Sequence, residues 1–215
     1  MNRAGWLCVC VLTVIAAEAG AQPNEPLDRF VFDARGTLAR FKEDVAVASS
    51  LEVASTNLPT RGLGVTVGGH WYPLRGRLIS LGVGAELIFA RDSRTAGSED
   101  DDEVLVQRPT VTTQLSGFSP QLSLNFGKRD GWSYVTAGLG RATLTSERDD
   151  EPFTDSASAT RSLNWGGGAR WFTGPHMAFT LDLRFYTVNA REATTGLPAY
   201  PRTKMMVISA GLSLR

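Results

Sequence analysis

From Ser162 to Tyr186 the chain alternates apolar and polar residues with a period of two. Leu163, Trp165, Ala169 and Trp171 alternate with Asn164, Gly166, Gly168 and Arg170. After Thr173-Gly174-Pro175-His176 the pattern resumes, with Phe179, Leu181, Leu183 and Phe185 against Thr180, Asp182, Arg184 and Tyr186. Successive side chains of a strand point to opposite faces, so these are two extended segments, each with one apolar face. The Gly-Pro between them marks a tight reversal. The same period predicts further strands over about Phe30–Leu38, Gly62–Tyr72, Leu78–Ala90, Leu115–Phe126 and Trp132–Leu144, and a closing strand over Met205–Arg215. Pro120 inside the fourth of these predicts an outer end or a bulge, because proline gives no N–H to a ladder.

The connections alternate as regularly as the residues. Polar stretches at Lys42–Arg61, Arg91–Gln114, Thr145–Arg161 and Asn189–Arg202 are read as long loops, and Pro73–Arg77, Gly127–Gly131 and Thr173–His176 as short turns. Eight strands joined in this way form an antiparallel meander with every short turn at one end. Strands of 10–13 residues are long enough for a tilted bilayer crossing, which needs about 9–11. The expected fold is all-β: an eight-stranded, antiparallel, up-and-down transmembrane β-barrel over residues 30–215.

Three features set which face meets lipid. Nearly every strand glycine falls on the polar face, among them Gly64, Gly82, Gly84, Gly138, Gly166, Gly168 and Gly211, so that face is crowded. Aromatics gather at the short-turn end (Trp71, Tyr72, Phe126, Trp132, Trp171, Phe172), with a thinner set (Phe41, Phe89, Phe118, Tyr186) near the long loops. Two such belts are expected at the two lipid–water interfaces. The polar face also carries Asp33, Glu86 and Asp182 against Arg35, Arg170 and Arg184, a balanced set. Buried charges have to be paired, so these six are expected to form a network that fills the lumen, which side chains occupy in a barrel this small.

The start of the chain reads differently. Arg3, the apolar run Trp6–Ala17 and Ala19-Gly20-Ala21 form a secretory signal over residues 1–21, followed by a flexible lead at 22–29. Both cysteines, Cys8 and Cys10, lie in the signal, so the mature chain has no thiol chemistry. Acidic and basic residues balance at 22 each, which removes the electrostatic case for nucleic acid. Lysine is limited to Lys42, Lys128 and Lys204, none near a strand centre.

With its signal, its four long and three short connections and its closing strand Met205–Arg215, the chain resembles the small outer-membrane β-barrel (porin) family. The resemblance covers about residues 28–215 and is one of architecture. It implies outer-membrane location, contact with outer-membrane lipids and lipopolysaccharide, insertion by the outer-membrane assembly machinery, and a monomer. Such barrels usually end on an aromatic; this chain ends Leu212-Ser213-Leu214-Arg215.

Candidate chemistry is sparse. His70 and His176, the two histidines, both map to the short-turn end, away from outer-leaflet substrates, so no catalytic residue and no cofactor is assigned. Asp100, Asp101, Asp102, Asp149 and Asp150 sit in acidic loops and are candidates to collect divalent cations that bridge to lipopolysaccharide phosphates, since hard cations favour carboxylate oxygens. Their spacing matches no EF-hand, and no dedicated metal site is assigned. The expected function is a non-enzymatic barrel, structural or displaying its loops. Two alternatives are a narrow channel or carrier for small solutes, and a soluble periplasmic barrel holding an apolar ligand.

Overall fold

Eight strands close on themselves, each carrying the alternation of the sequence onto its two faces. In the computed structural model residues 28–76, 78–95, 109–128, 131–151, 156–194 and 197–215 are described. The signal at 1–21 and most of the lead lie outside them. The strands are β1 (Phe30–Arg40), β2 (Arg61–Arg75), β3 (Ile79–Thr95), β4 (Thr110–Lys128), β5 (Gly131–Arg148), β6 (Thr160–Phe172), β7 (Met177–Val188) and β8 (Thr203–Leu214). Each pairs antiparallel with its sequence neighbour, and β8 returns to β1, which closes the barrel.

The register fixes the tilt. Pairing partners followed once around the wall return to β1 about ten residues further along, which for eight strands corresponds to a slope of roughly 40°. That stagger also defines which residues share a height. At the short-turn end Phe30, Trp71, Phe126, Trp171 and Phe179 all face outward at one level. At the long-loop end Arg40, Arg61, Arg91, Arg141, Arg161 and Lys204 do the same. Between the two levels the outer wall is apolar for about 25 Å, the depth of an outer-membrane hydrocarbon band. Leu63, Leu122 and Leu139 on that wall are 60–72% exposed, a waste of apolar area in water and the normal state against lipid.

The long-loop end departs from expectation in two ways. Strands β3, β4 and β5 run past the apolar band, to Thr95, from Thr110 and to Arg148, so two predicted loops are shorter than read. Their tops are ladders of polar residues, with Ser93 against Thr112 at 2.9 Å and Thr95 against Thr110 at 3.4 Å. Beyond the lipid the outward face is polar and the inward face mixes Val111 with Thr113 and Ser146, so the apolar–polar alternation that marks a strand disappears while the pairing continues. The stretch read as a loop at Lys42–Arg61 contains helix α1 (Val45–Ser50), started by Asp44, whose carboxylate accepts from the Ala46 N–H at 2.9 Å. A 3-10 turn follows at Ser55–Asn57. Val47, Ala48, Leu51 and Leu58 bury themselves against Val111 of β4, and Arg148 donates to the Leu51 carbonyl at 3.0 Å. The segment therefore folds across the barrel mouth.

Pro120 lies at neither an end nor a register shift. It sits opposite Ala85 in the middle of β4, and the ladder to β5 skips there, from the Phe118–Arg141 pair to the Gln121–Gly138 pair. The missing N–H is accommodated by a gap in pairing.

Candidate functional site: the barrel interior

The inward face of the wall is layered, and the layers follow from which residue type each strand offers at a given height. At the short-turn end Val31, Tyr72 and Trp132 form a buried apolar floor, with Phe172 against it. Tyr72 and Trp132 thus leave the lipid belt assigned to them and point inward; Trp132 is 2% exposed. They do so because their positions carry the parity of the polar face, which outranks side-chain type when a strand has two sides.

Above the floor sits the charge. Arg170 grips Asp33 through two bonds, Nε to Oδ1 at 3.0 Å and Nη2 to Oδ2 at 2.7 Å. Ser213 donates to the same carboxylate at 2.5 Å, and the guanidinium stacks over the Tyr134 ring, 4.1 Å from its centroid. The other four charged residues close a ring of alternating sign. Arg35 pairs with Glu86, and with Asp182 at 3.1 Å; Arg184 pairs with Asp182 at 2.8 Å and Glu86 at 3.2 Å. Each carboxylate also takes a phenol: Tyr134 donates to Asp182 at 2.7 Å and Tyr186 to Glu86 at 2.8 Å. All six charged side chains are at most 3% exposed, and they come from β1, β3, β6 and β7, so the ring ties opposite walls together. Such a set is tolerated in a buried site because every charge has an opposite neighbour and a hydrogen bond.

The glycines make this possible. Gly168 lies across the wall from Tyr134, where a Cβ would come within 2.7 Å of the phenol oxygen and 2.3 Å of the Leu181 carbonyl. Gly84 lets the His70 ring lie flat on β3 in the same way. Each large inward group rests on a neighbouring strand that has no side chain of its own.

A hydroxyl and amide layer follows. Thr37 bonds Thr66 at 2.7 Å and Ser209 at 2.9 Å, and Asn164 donates to Ser119 at 2.6 Å. Above it the interior turns apolar, where a polar face had been expected throughout. Ala39, Phe41, Ile88, Leu115, Leu144, Tyr186, Met205 and Val207 pack into one buried cluster directly under the α1 segment. Phe41 and Tyr186 therefore also leave the lipid belt, while Phe89 and Phe118 remain on the outside at 43% and 51% exposure.

His70 is inside the barrel near the short-turn end, 3% exposed, on the polar face of β2, with Nδ1 3.8 Å from Asp33. Of the acidic loop residues, Asp100, Asp101 and Asp102 lie outside the described residues. Asp149 accepts from the Thr110 N–H at 2.8 Å, and Asp150 pairs with Arg148 at 2.6 Å, which lowers the pKa of its carboxyl. Among the described residues no three His, Cys, Asp or Glu side chains converge as a metal set. Sequence reading named the six charged residues but not Tyr134, Tyr186, Ser213 or Asn164. The signal was available, since Asn164 and Tyr186 share the parity of the charged residues on β6 and β7, and Tyr134 and Ser213 that of Thr136 on β5 and Ser209 on β8.

A closed eight-stranded antiparallel barrel with an apolar outer wall and a polar, charge-paired core is an outer-membrane protein by construction. The chain belongs to the outer membrane protein beta-barrel domain family, whose model matches residues 7–215. Several solved structures are similar to the chain. Neisserial surface protein A shares 11% identity, covering 86% of this chain and 96% of that one, with a TM-score of 0.50. The attachment invasion locus protein of Yersinia pestis shares 14% identity over 87% and 99% of the two chains, with a TM-score of 0.48. Outer membrane protein OprG from Pseudomonas aeruginosa shares 12% over 90% and 98%, with a TM-score of 0.44. No curated protein sequence matches the chain.

Proposed function

We propose that this is a non-enzymatic outer-membrane barrel whose lumen is plugged, and whose work is done by its wall and the loops it displays. The observation that carries the reading is the four-membered ring of Arg35, Glu86, Arg184 and Asp182, with apolar clusters above and below it. A solute crossing the barrel would have to open the α1 segment, separate packed aliphatic and aromatic groups, and strip paired charges of their partners. The last step alone leaves uncompensated charge in a dry interior, at a cost of about 3–5 kcal/mol for each broken pair. Among the described residues, the charged groups of the interior are buried away from any open approach of a substrate. His70, the base nearest a carboxylate, is walled in beside Asp33.

The exported chain, its signal at residues 1–21 removed, would be inserted by the assembly machinery and stand as a monomer in the outer membrane. Planar-bilayer recording tests the plug. The refolded protein is expected to give a flat baseline, and steady conductance steps that survive repurification would replace this reading with the channel.

A further inference from the structure

The barrel floor carries a set of polar atoms that the plugged-barrel reading does not use. Tyr72, Ser80, Ser123, Asn125, Trp132 and Arg170 point inward from β2, β3, β4, β5 and β6, and each is at most 2% exposed. Among the described residues, no protein group hydrogen-bonds the Tyr72 hydroxyl, Ser80 Oγ, Ser123 Oγ, either amide atom of Asn125, Trp132 Nε1 or Arg170 Nη1. Buried polar groups nearly always have a partner, so this many exceptions in one place point to a guest.

The atoms belong to one neighbourhood. Tyr72 lies flat on β3 at Gly82, where a Cβ would run into its ring. Ser80 is the adjacent inward residue of that strand; across the ladder Asn125 stands opposite Ser80, and Ser123 opposite Gly82. The Trp132 ring is 5.7 Å from that of Tyr72, and the Arg170 guanidinium carbon is 5.6 Å from the Trp132 ring. Arg170 commits Nε and Nη2 to Asp33, which leaves Nη1 on the far edge of its plane.

This is a cage of donors. Arg170 Nη1, Trp132 Nε1 and Asn125 Nδ2 can only donate, and the three hydroxyls can turn their protons the same way. Asn125 Oδ1 alone has to accept. A single water has too few lone pairs for so many donors, whereas a spherical anion accepts from every side. Charge decides what accompanies it. Arg170 and Asp33 already neutralise each other, so an anion by itself would leave an uncompensated buried charge. A proton on His70 removes that excess. His70 lies 6.2 Å from the Tyr72 ring and 3.8 Å from Asp33 of β1, on Gly84 of β3 and beside Gln121 of β4. Arg170 of β6 and Arg184 of β7 are the cations around it, and Tyr134 of β5 stacks on Arg170.

We propose that the floor binds a small monovalent anion of halide size, taken up together with one proton on His70. The site is reached by local opening at the short turns, not by passage through the charged ring, so the inference stands whether or not the lumen conducts.

The test uses residues 22–215 with Trp71, Trp165 and Trp171 replaced by Phe, so that Trp132 is the one tryptophan left, refolded in phosphatidylcholine nanodiscs. Bromide, which quenches indole emission on contact, is titrated at constant ionic strength against sulfate. A saturable loss of Trp132 emission is expected, reversed by chloride. Its affinity should rise about tenfold per unit fall in pH between about pH 8 and about pH 6, the linkage of one proton. His70→Gln is expected to abolish that pH dependence. Asn125→Leu is expected to weaken bromide about tenfold, the size of one hydrogen bond to a charged group. The folded fraction on an unheated gel is read alongside, and where a variant fails to fold, the parent titration and its pH series decide. A linear, unsaturating curve means that the floor takes water only, and overturns the proposal. So does a saturable curve that ignores pH, or one that keeps its pH dependence in folded His70→Gln. Conductance steps from a barrel that still bound bromide would remove the plug and leave this site standing.

Discussion

Replacing Glu86 by Gln isolates the energetics of the charged ring. The change keeps the side-chain volume and the hydrogen bond from Tyr186, so packing is nearly constant. It leaves Arg35 and Arg184 facing Asp182 alone, because Asp33 is already neutralised by Arg170. One buried positive charge is then uncompensated. With the Arg35 and Arg184 side chains at 0% and 2% exposure water cannot screen it, and breaking such a pair typically costs about 3–5 kcal/mol. The assay is urea unfolding in lipid vesicles, followed by tryptophan emission and by the shift in gel mobility between folded and unfolded barrel. Arg35→Met removes the mirror-image charge, and the double variant Arg35→Met, Glu86→Gln restores neutrality. The double variant is expected to lose less stability than either single change. A Glu86→Gln effect below about 1 kcal/mol, the size of a solvent-exposed pair, or strictly additive single effects, would refute the ring as a coupled unit.

Other consequences are equally direct. Gly168→Leu should prevent Tyr134 from lying on β6 and leave Asp182 without its phenol, so the variant is expected not to refold, as read by gel mobility. Arg148→Ala cuts the bond to Leu51 that holds the α1 segment over the mouth. Proteolysis within residues 42–60 should then accelerate while the urea midpoint of the barrel stays put. The Arg148–Asp150 pair makes the same bond pH-dependent: Asp150 has a lowered carboxyl pKa, so its contribution is complete above the ordinary carboxylate range and is lost as pH falls through the lowered value. Protection of that segment should therefore be full above the ordinary carboxylate range and decline progressively as the pH falls through and below it.

The wall was legible in the sequence because the lipid imposes one rule on every residue of its face. Leu163, Trp165, Leu181 and Leu183 had no other place to go, and the same parity put Asp33, Arg35, Glu86, Arg170, Asp182 and Arg184 inside. Who pairs with whom was not legible, since it depends on the ten-residue stagger, a property of closure that no single strand carries. Where the lipid ends, the rule ends too, and the tops of β3, β4 and β5 passed for loops. Aromatic type misled for a related reason. Tyr72, Trp132, Phe41 and Tyr186 are large enough to serve as belt residues, and only their parity shows that they fill the interior.

The tall side of the barrel has an electrostatic meaning. The paired ends of β3, β4 and β5 stand about five residues above the level of Arg91 and Arg141, which at a slope of roughly 40° is about 12 Å. At physiological ionic strength charges are screened over about 8 Å. The acidic run from Glu99 to Glu103 is joined to the barrel at Thr95 and Thr110, the top of that parapet. Its stem therefore starts more than one screening length from the outward-facing arginines. One barrel can thus keep a cationic waistline at the membrane while the acidic run is tethered beyond the reach of that field.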